Sequence, residues 1–317
     1  MKIKIVVLGY IFNETIVWPD GRTEGPFLGA TVSYGAVALG RLGASAGIVT
    51  NVGPGTPEAI LKPIYDCGIN TTGVNIVKGA HETRNTLNYY EDGTKQLEYQ
   101  TRAPLIQFSD IPESYLSADL YHLCLVDYEI PISTIKKLKK INPGAVISAD
   151  LGGLGGAHST QESREKHIRR DSGRVQDQYY SFIDFGKASM EDAEIAFGGE
   201  FASEKKAAEA YISKGVKNII VTLGEKGSYI LSRTGIEARI PMIPPRVNDI
   251  DTTGAGDTYM TAFMFEYMRS QDLVTAGMFA SAAASIFIEQ GGGVRVNRTP
   301  TYSMTRKRLD DYYQMLQ

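Results

Sequence analysis

Short apolar runs alternate with helical patterns along most of the chain. Near the N-terminus "IKIVVL" is β-branched and almost continuous, as expected of a strand covered on both faces. "SAGIVTNV", "ADLYHLCLV", "GAVISAD", "FIDFG" and "KNIIVTL" repeat that character. Between them the pattern predicts helices over 31–42, 57–67, 130–141, 190–197 and 203–214. The last third predicts three more, over 255–269, 272–289 and 303–316. Such alternation implies an α/β fold: a three-layer α/β/α sandwich whose central sheet is mostly parallel.

Two stretches interrupt the alternation. "ETIVWPDGRTEG" (14–25) places a Pro-Asp-Gly turn between extended pieces, and "TRNTLNYYEDGTKQLEYQT" (83–101) has two strand-like runs around Asp92-Gly93. Both read as hairpins without a core-sheet face. They are either surface decoration or a small β-lid on a single 1–317 domain, with lid segments at about 10–28 and 83–104. Unpaired edges on such a lid would also suit a homodimer. The polar segment 152–181 carries His158, Arg164, His167, Arg169, Arg170 and Arg174. It reads as a solvated loop and helix, or as a basic flap over anionic groups.

Composition narrows the function classes. The 317 residues suffice for a sizeable core. With 36 acidic and 33 basic residues the formal charge is −3, so no global positive field favours nucleic acid or anionic lipid. Cys67 and Cys124 are too few for a disulfide framework and read as buried free thiols of a reducing compartment. The first apolar run breaks at Gly9 with no cleavage site behind it, so it reads as a strand and not as a signal peptide. No stretch approaches the ~18 apolar residues of a membrane span. A soluble, cytoplasmic protein is the expectation.

The candidate chemistry sits in "DTTGAGD" (251–257), at the entrance to a buried-looking helix. Gly and Ala let a ligand approach the backbone, and amides at a helix start lack intrahelical acceptors. With the helix dipole they form an anion site, most naturally for phosphate. Asp257 falls in the first turn, where an acid beside phosphate is unfavourable unless it accepts the proton of an attacking hydroxyl. The plainer alternative is helix stabilisation by a first-turn acid, with Gly-Ala-Gly permitting close packing.

Two neighbours weigh on that choice. In "IIVTLGEKGSYIL" a buried strand runs to Thr222, and Gly224 and Gly227 open a turn before a second strand. That suits nucleotide phosphates, although any tight turn uses such glycines. "GATVSYGAVALGRLGA" (29–44) starts a helix with small residues and ends it with Arg41 and a capping Gly43. Those small residues admit either a ligand or close helix packing.

Taken together and in this order, these residues resemble the ribokinase-like (PfkB) carbohydrate kinases, from the first strand to about residue 296. "DTTGAGD" matches the family's C-terminal signature, "VTLGEKG" its nucleotide turn, and "GATVSYGAVALGRLG" a degraded N-terminal signature. "FASAAASIFIEQGGG" is similar to the helix that the family lays beside adenine. The resemblance implies ATP-dependent phosphotransfer to a small polyhydroxylated substrate. Asp257 would be the base, and the amides of Gly254, Ala255 and Gly256 the anion hole. Thr222, Gly224, Gly227, Lys187 and Ser189 would lie on the nucleotide side, with Ala280, Ser281 and Ala284 near adenine. Glu14, Gly29, Ala30, Tyr34 and Asp150 would surround the acceptor. Mg²⁺ would be held largely by phosphates and water, with Asp192 acting indirectly. Asp251 and Thr253 match positions that often hold a monovalent cation such as K⁺.

Most departures from the pattern fall on the acceptor side, and one falls on the motif that the family links to metal and phosphate. Glu14 stands where the family usually has Asp, Gly29-Ala30 where it has paired glycines, and Tyr34 where it has a sugar-binding Asn. Its Asn-x-x-Glu motif appears as Ser189-Met190-Glu191-Asp192. "GATVSYGA" looks more like a divergent branch that includes inositol kinase-like proteins. A Walker loop is excluded by the order Lys-Gly-Ser in "LGEKGSY" and by its missing six-residue loop. A dinucleotide fingerprint is excluded because only Gly9 follows the first strand. His81, His122, His158 and His167 lack ligand spacing and are expected on the surface or in loops. The rival from another class is a catalytically silent sugar or nucleotide sensor on the same fold.

Overall fold

The structure is a computed structural model that describes residues 2–91, 95–126, 128–154 and 176–317. The basic cluster at 158–174 and the Asp92-Gly93 turn lie outside the described residues.

Nine strands form the main sheet: β1 (Ile5–Leu8), β4 (Ala46–Val52), β5 (Asn70–Ile76), β8 (Leu120–Leu123), β9 (Val146–Asp150), β10 (Phe185–Ser189), β11 (Asn218–Thr222), β12 (Ser228–Ser232) and β13 (Glu237–Ile240). Their order is β13-β12-β11-β10-β9-β8-β1-β4-β5. Pairing is parallel from β11 through to β5, whereas β11–β12 and β12–β13 are antiparallel. All four residues of β1 are buried, as its unbroken apolar pattern requires.

Helices cover both faces. On one side lie α1 (Thr31–Arg41), α2 (Glu58–Asp66), α7 (Ala255–Ser270), α8 (Leu273–Phe287) and α9 (Tyr302–Met315), whose apolar residues share one core cluster. On the other lie α3 (Ile132–Ile141), the short α4 (Asp177–Tyr180), α5 (Met190–Phe197) and α6 (Glu204–Ser213), joined in a second cluster.

The small residues of α1 divide between the two roles proposed for them. A Cβ at Gly40 would lie 2.1 Å from the carbonyl oxygen of Cys67, and one at Gly35 would lie 3.1 Å from Thr261 Oγ1. These two serve close packing. Ala30 and Thr31, at the helix entrance, instead line a small pocket with Glu14, which also lies against Gly29.

A second sheet joins β2 (Phe12–Val17), β3 (Thr23–Gly29), β6 (Thr83–Tyr89) and β7 (Lys95–Thr101) in the order β3-β2-β6-β7. Each expected hairpin is present. The two are welded by parallel pairing of β2 with β6, from Phe12↔Thr83 to Val17↔Asn88.

Some elements depart from the sequence reading. The strand expected at "FIDFG" begins only at Phe185 and continues through Ser189. Its first residues instead close the turn after α4, where Phe182 and Ile183 donate to the carbonyls of Tyr179 and Tyr180. His122 is buried in β8, with Nδ1 2.9 Å from Ser148 Oγ. Burial pushes its pKa down to about 4, so the ring is neutral, a core residue and not a surface one.

Candidate active site

The parallel strands deliver polar side chains to their carboxyl ends. Asp150 closes β9 beside Lys187 in β10, and Ser189 lies opposite Thr222 of β11. Lys187 Nζ donates to Asp150 Oδ2 at 2.7 Å, and both side chains are buried. Burial alone would lower the lysine pKa. Asp150, Asp192 and Asp257 outweigh it and raise the value instead, so the ammonium stays charged.

Helix α7 starts at this charge cluster. Its N-cap, Gly254, has φ +80°, and no side chain caps the helix. Among the described residues the N–H groups of Gly254 and Gly256 have no intramolecular acceptor, so both are open to an anion. Ala255 differs from the expectation: its N–H donates to the carbonyl of Thr252 at 3.0 Å and closes the turn. Gly254 is also not bare for a ligand's sake, because a Cβ there would lie 2.4 Å from the ring of Tyr34. Beside Gly256 the neighbour is Lys187, whose Nζ would lie 3.1 Å from such a Cβ. Two open amides and one buried ammonium therefore converge.

Asp257 lies in the first turn of α7 and reaches a pocket of about 90 Å³. Desolvation and the neighbouring Asp150 carboxylate raise its pKa, while Lys187 and a hydrogen bond to Thr31 oppose the shift; the result is about 7. A carboxylate poised there suits proton transfer near neutral pH. Thr31 was not among the sequence candidates, although it lies inside the "GATVS" run.

The pocket wall comes from the second sheet and α1: Phe12, Glu14, Ala30, Tyr34, Leu87 and Leu97. Glu14 Oε2 accepts from Asn85 Nδ2 at 2.7 Å, across the pairing that sets Glu14 opposite Asn85. Ala30 adopts φ +74° and ψ 150°, a region nearly restricted to glycine. Tyr34 is buried edge-on against Phe287 at 5.9 Å. Its ring is thus fixed by packing while still contributing to the pocket wall. Larger hollows exist elsewhere, such as one lined by Lys2, Asp119 and Val146 at the opposite strand ends, far from these groups.

The nucleotide-side candidates divide. Thr222 and Gly224 are at the strand end, and a Cβ at Gly224 (φ +58°) would meet no atom within 4 Å. Gly227 has a packing role, since a Cβ there would lie 2.0 Å from the carbonyl oxygen of Ile240. Ser189 caps α5: its hydroxyl accepts from the Asp192 N–H and donates to Asp192 Oδ2 at 2.8 Å. The other Asp192 oxygen and Asp150 both face Gly152. Ala280 is fully buried in the core, and the Ser281 hydroxyl bridges Pro241 and Ile243, so neither is free to meet adenine. Ala284 alone of that trio is partly exposed.

Comparison with known proteins agrees with this architecture. Residues 158–300 match the model of the pfkB family carbohydrate kinases. A cytidine kinase from Thermococcus kodakarensis is 27% identical over 272 residues, 85% of this chain and 90% of that protein. A ribokinase from Haemophilus influenzae is 26% identical over 262 residues, covering 81% and 79% of the two chains. In sequence and in architecture the chain is similar to the ribokinase-like pfkB carbohydrate kinases.

The chain also shares its fold with Arabidopsis thaliana ribokinase, solved with ribose and ATP (TM-score 0.77, 21% identity, 98% and 99% of the chains covered). The inositol-kinase likeness has one counterpart, a structure described as a pyrophosphate-dependent myo-inositol-1 kinase converted into a myo-inositol-3 kinase (TM-score 0.73, 20% identity, 97% and 99% covered). At that identity the likeness is one of fold.

Proposed function

We propose that this kinase transfers the γ-phosphoryl group of ATP to a hydroxyl of a small sugar or nucleoside held between the second sheet and the start of α7. One observation carries the reading. Asp257, with its raised pKa, lies between the acceptor pocket and a pair of open amides flanked by Lys187.

In the step, the acceptor O–H gives its proton to the Asp257 carboxylate. The oxygen attacks the γ-phosphorus while the bond to the β–γ bridging oxygen breaks, and ADP leaves with that electron pair. The N–H groups of Gly254 and Gly256 take charge developing on the equatorial oxygens. Lys187 neutralises the Asp150 carboxylate, which lies against Asp257, and supplies positive charge on the phosphoryl side. Thr222 and Gly224 offer the strand end to the nucleotide, and Ala284 offers the open part of α8. Asp192 and Asp150, whose oxygens face Gly152, would hold a hydrated Mg²⁺ brought in with ATP, and that ion would supply charge neutralisation at the phosphates.

Glu14, fixed by Asn85, would accept hydroxyl protons of the acceptor, while Phe12, Leu87 and Leu97 offer it an apolar face. That mixture suits a pentose presented alone or as a nucleoside. The likeness to a cytidine kinase over most of both chains supports including nucleosides.

The test is ADP release with ribose, cytidine and myo-inositol as acceptors. Asp257→Asn is expected to bind nucleotide normally and to lose turnover by roughly 10²–10⁴-fold. Acceptor binding without any acceptor-dependent ADP release would favour the sensor reading.

A further inference from the structure

The family resemblance places a monovalent cation at Asp251 and Thr253, but these residues do not fit one, because a side chain already holds the oxygens. Arg298 has a fully buried side chain. Its Nη2 donates to the carbonyls of Asp251 at 2.8 Å and Thr253 at 3.2 Å, its Nη1 to Gly293 at 3.0 Å, and its Nε to Phe287 at 3.2 Å. The Asp251 carboxylate lies 3.4 Å away, and the guanidinium covers the Phe287 ring at 4.0 Å. Four carbonyls and a carboxylate around one positive centre are the donor set that a hard cation would take. Here their lone pairs point at N–H groups.

We propose that Arg298 is the resident cation of this site, and that the protein neither needs nor binds K⁺ there. The guanidinium cannot be deprotonated in a protein and has a rigid fork of donors, so it holds several carbonyls at once without exchanging with solvent ions. What it holds matters for the anion cradle. Asp251 and Thr253 lead directly into Gly254 and Gly256. The Asp251 carboxylate also accepts from the N–H groups of Thr253 at 2.9 Å and Gly292 at 3.2 Å. Arg298 thus ties the 251–253 and 292–298 segments together and fixes the direction in which the open amides point. It is a positioning residue that touches no substrate.

The inference rests on the proposed reaction only for its kinetic arm. A thermal arm stands apart from it and needs no turnover. Wild-type protein is melted in KCl, NaCl or choline chloride at equal ionic strength. The expected melting temperatures agree to within about 1 °C; a K⁺-specific rise of about 5 °C or more would show a real cation site and overturn the proposal. Turnover in the same salts is expected to agree within about twofold, and strong K⁺ activation would overturn it likewise. If no acceptor is phosphorylated in any salt, the proposed reaction fails and the thermal arm still decides the role of Arg298.

Variants then separate charge from packing. Arg298→Ala is expected to melt several degrees lower and to recover with K⁺ or millimolar guanidinium but not with choline. Its turnover would fall about 10²-fold and rise about tenfold with the same ions. A folded Arg298→Ala with wild-type turnover, or a loss that neither ion reverses, counts against the proposal. Should the alanine variant not fold, Arg298→Lys and Arg298→Gln replace it. The charged lysine is expected to keep at least about a tenth of the activity that the neutral glutamine loses; equal activities in the two would refute the role.

Discussion

Two buried cations bracket the start of α7, and they are held in opposite ways. Lys187 is surrounded by charges: Asp150 at 2.7 Å, with Asp192 and Asp257 close by. Arg298 is surrounded mainly by neutral carbonyls, four of them at 2.8–3.2 Å. A compact ammonium among exchangeable carboxylates is free to shift toward an arriving anion. A planar guanidinium locked to backbone oxygens is not. The difference suggests a division of labour, in which one cation answers to the ligand and the other fixes the backbone that the ligand meets.

The comparison is broken most sharply by Lys187→Met. Three carboxylates would then share a buried space without compensation. The expected loss in kcat/KM is about 10³-fold at neutral pH, and the acid limb of the pH profile should move upward because Lys187 opposes the raised pKa of Asp257. An unmoved acid limb would separate Lys187 from the base. In the proposed step Asp257 acts only when deprotonated, so kcat/KM of the wild type should rise with pH through about 7 and level off above it. A profile flat from pH 5 to 9 would contradict that assignment. Thr31→Val removes a hydrogen bond that favours the charged carboxylate. It should move the same limb upward more modestly, costing up to about tenfold below neutrality. The smallest effect tests the pocket backbone. Ala30→Gly should relieve the positive-φ strain and raise unfolding free energy by about 1 kcal/mol, measured by denaturant titration. A loss of stability there would mean that the glycine's freedom in the unfolded chain outweighs the strain.

The core of the fold was legible because the central strands are buried on both faces and therefore nearly all apolar. The edges were not. Strand β5 reads "NTTGVNI" and is largely half-exposed, and β13 reads "EARI"; neither has the continuous run that marks β1 or β11. In the site, the start of α7 could be located because unpaired amides and a first-turn acid leave a compact local signature. Arg298 left none. It lies 47 residues from Asp251, and nothing in "GGGVRVNRTP" distinguishes a buried arginine from an exposed one. Ser189 and Asp192 were noticed for chemistry and turned out to bond each other, since a Ser three residues before an acid also makes a capping box. Helix position alone cannot say which use prevails.

The parallel pairing of β2 with β6 has a consequence for assembly. Phe12 meets Thr83 only after the intervening chain has laid down α1, β4, α2 and β5. Closing so long a loop is entropically slow, so the four-stranded cover should be the last part of the molecule to take shape. Few apolar residues anchor it, so it should also be the first part to come loose, as the proposed entry of an acceptor beneath it would require.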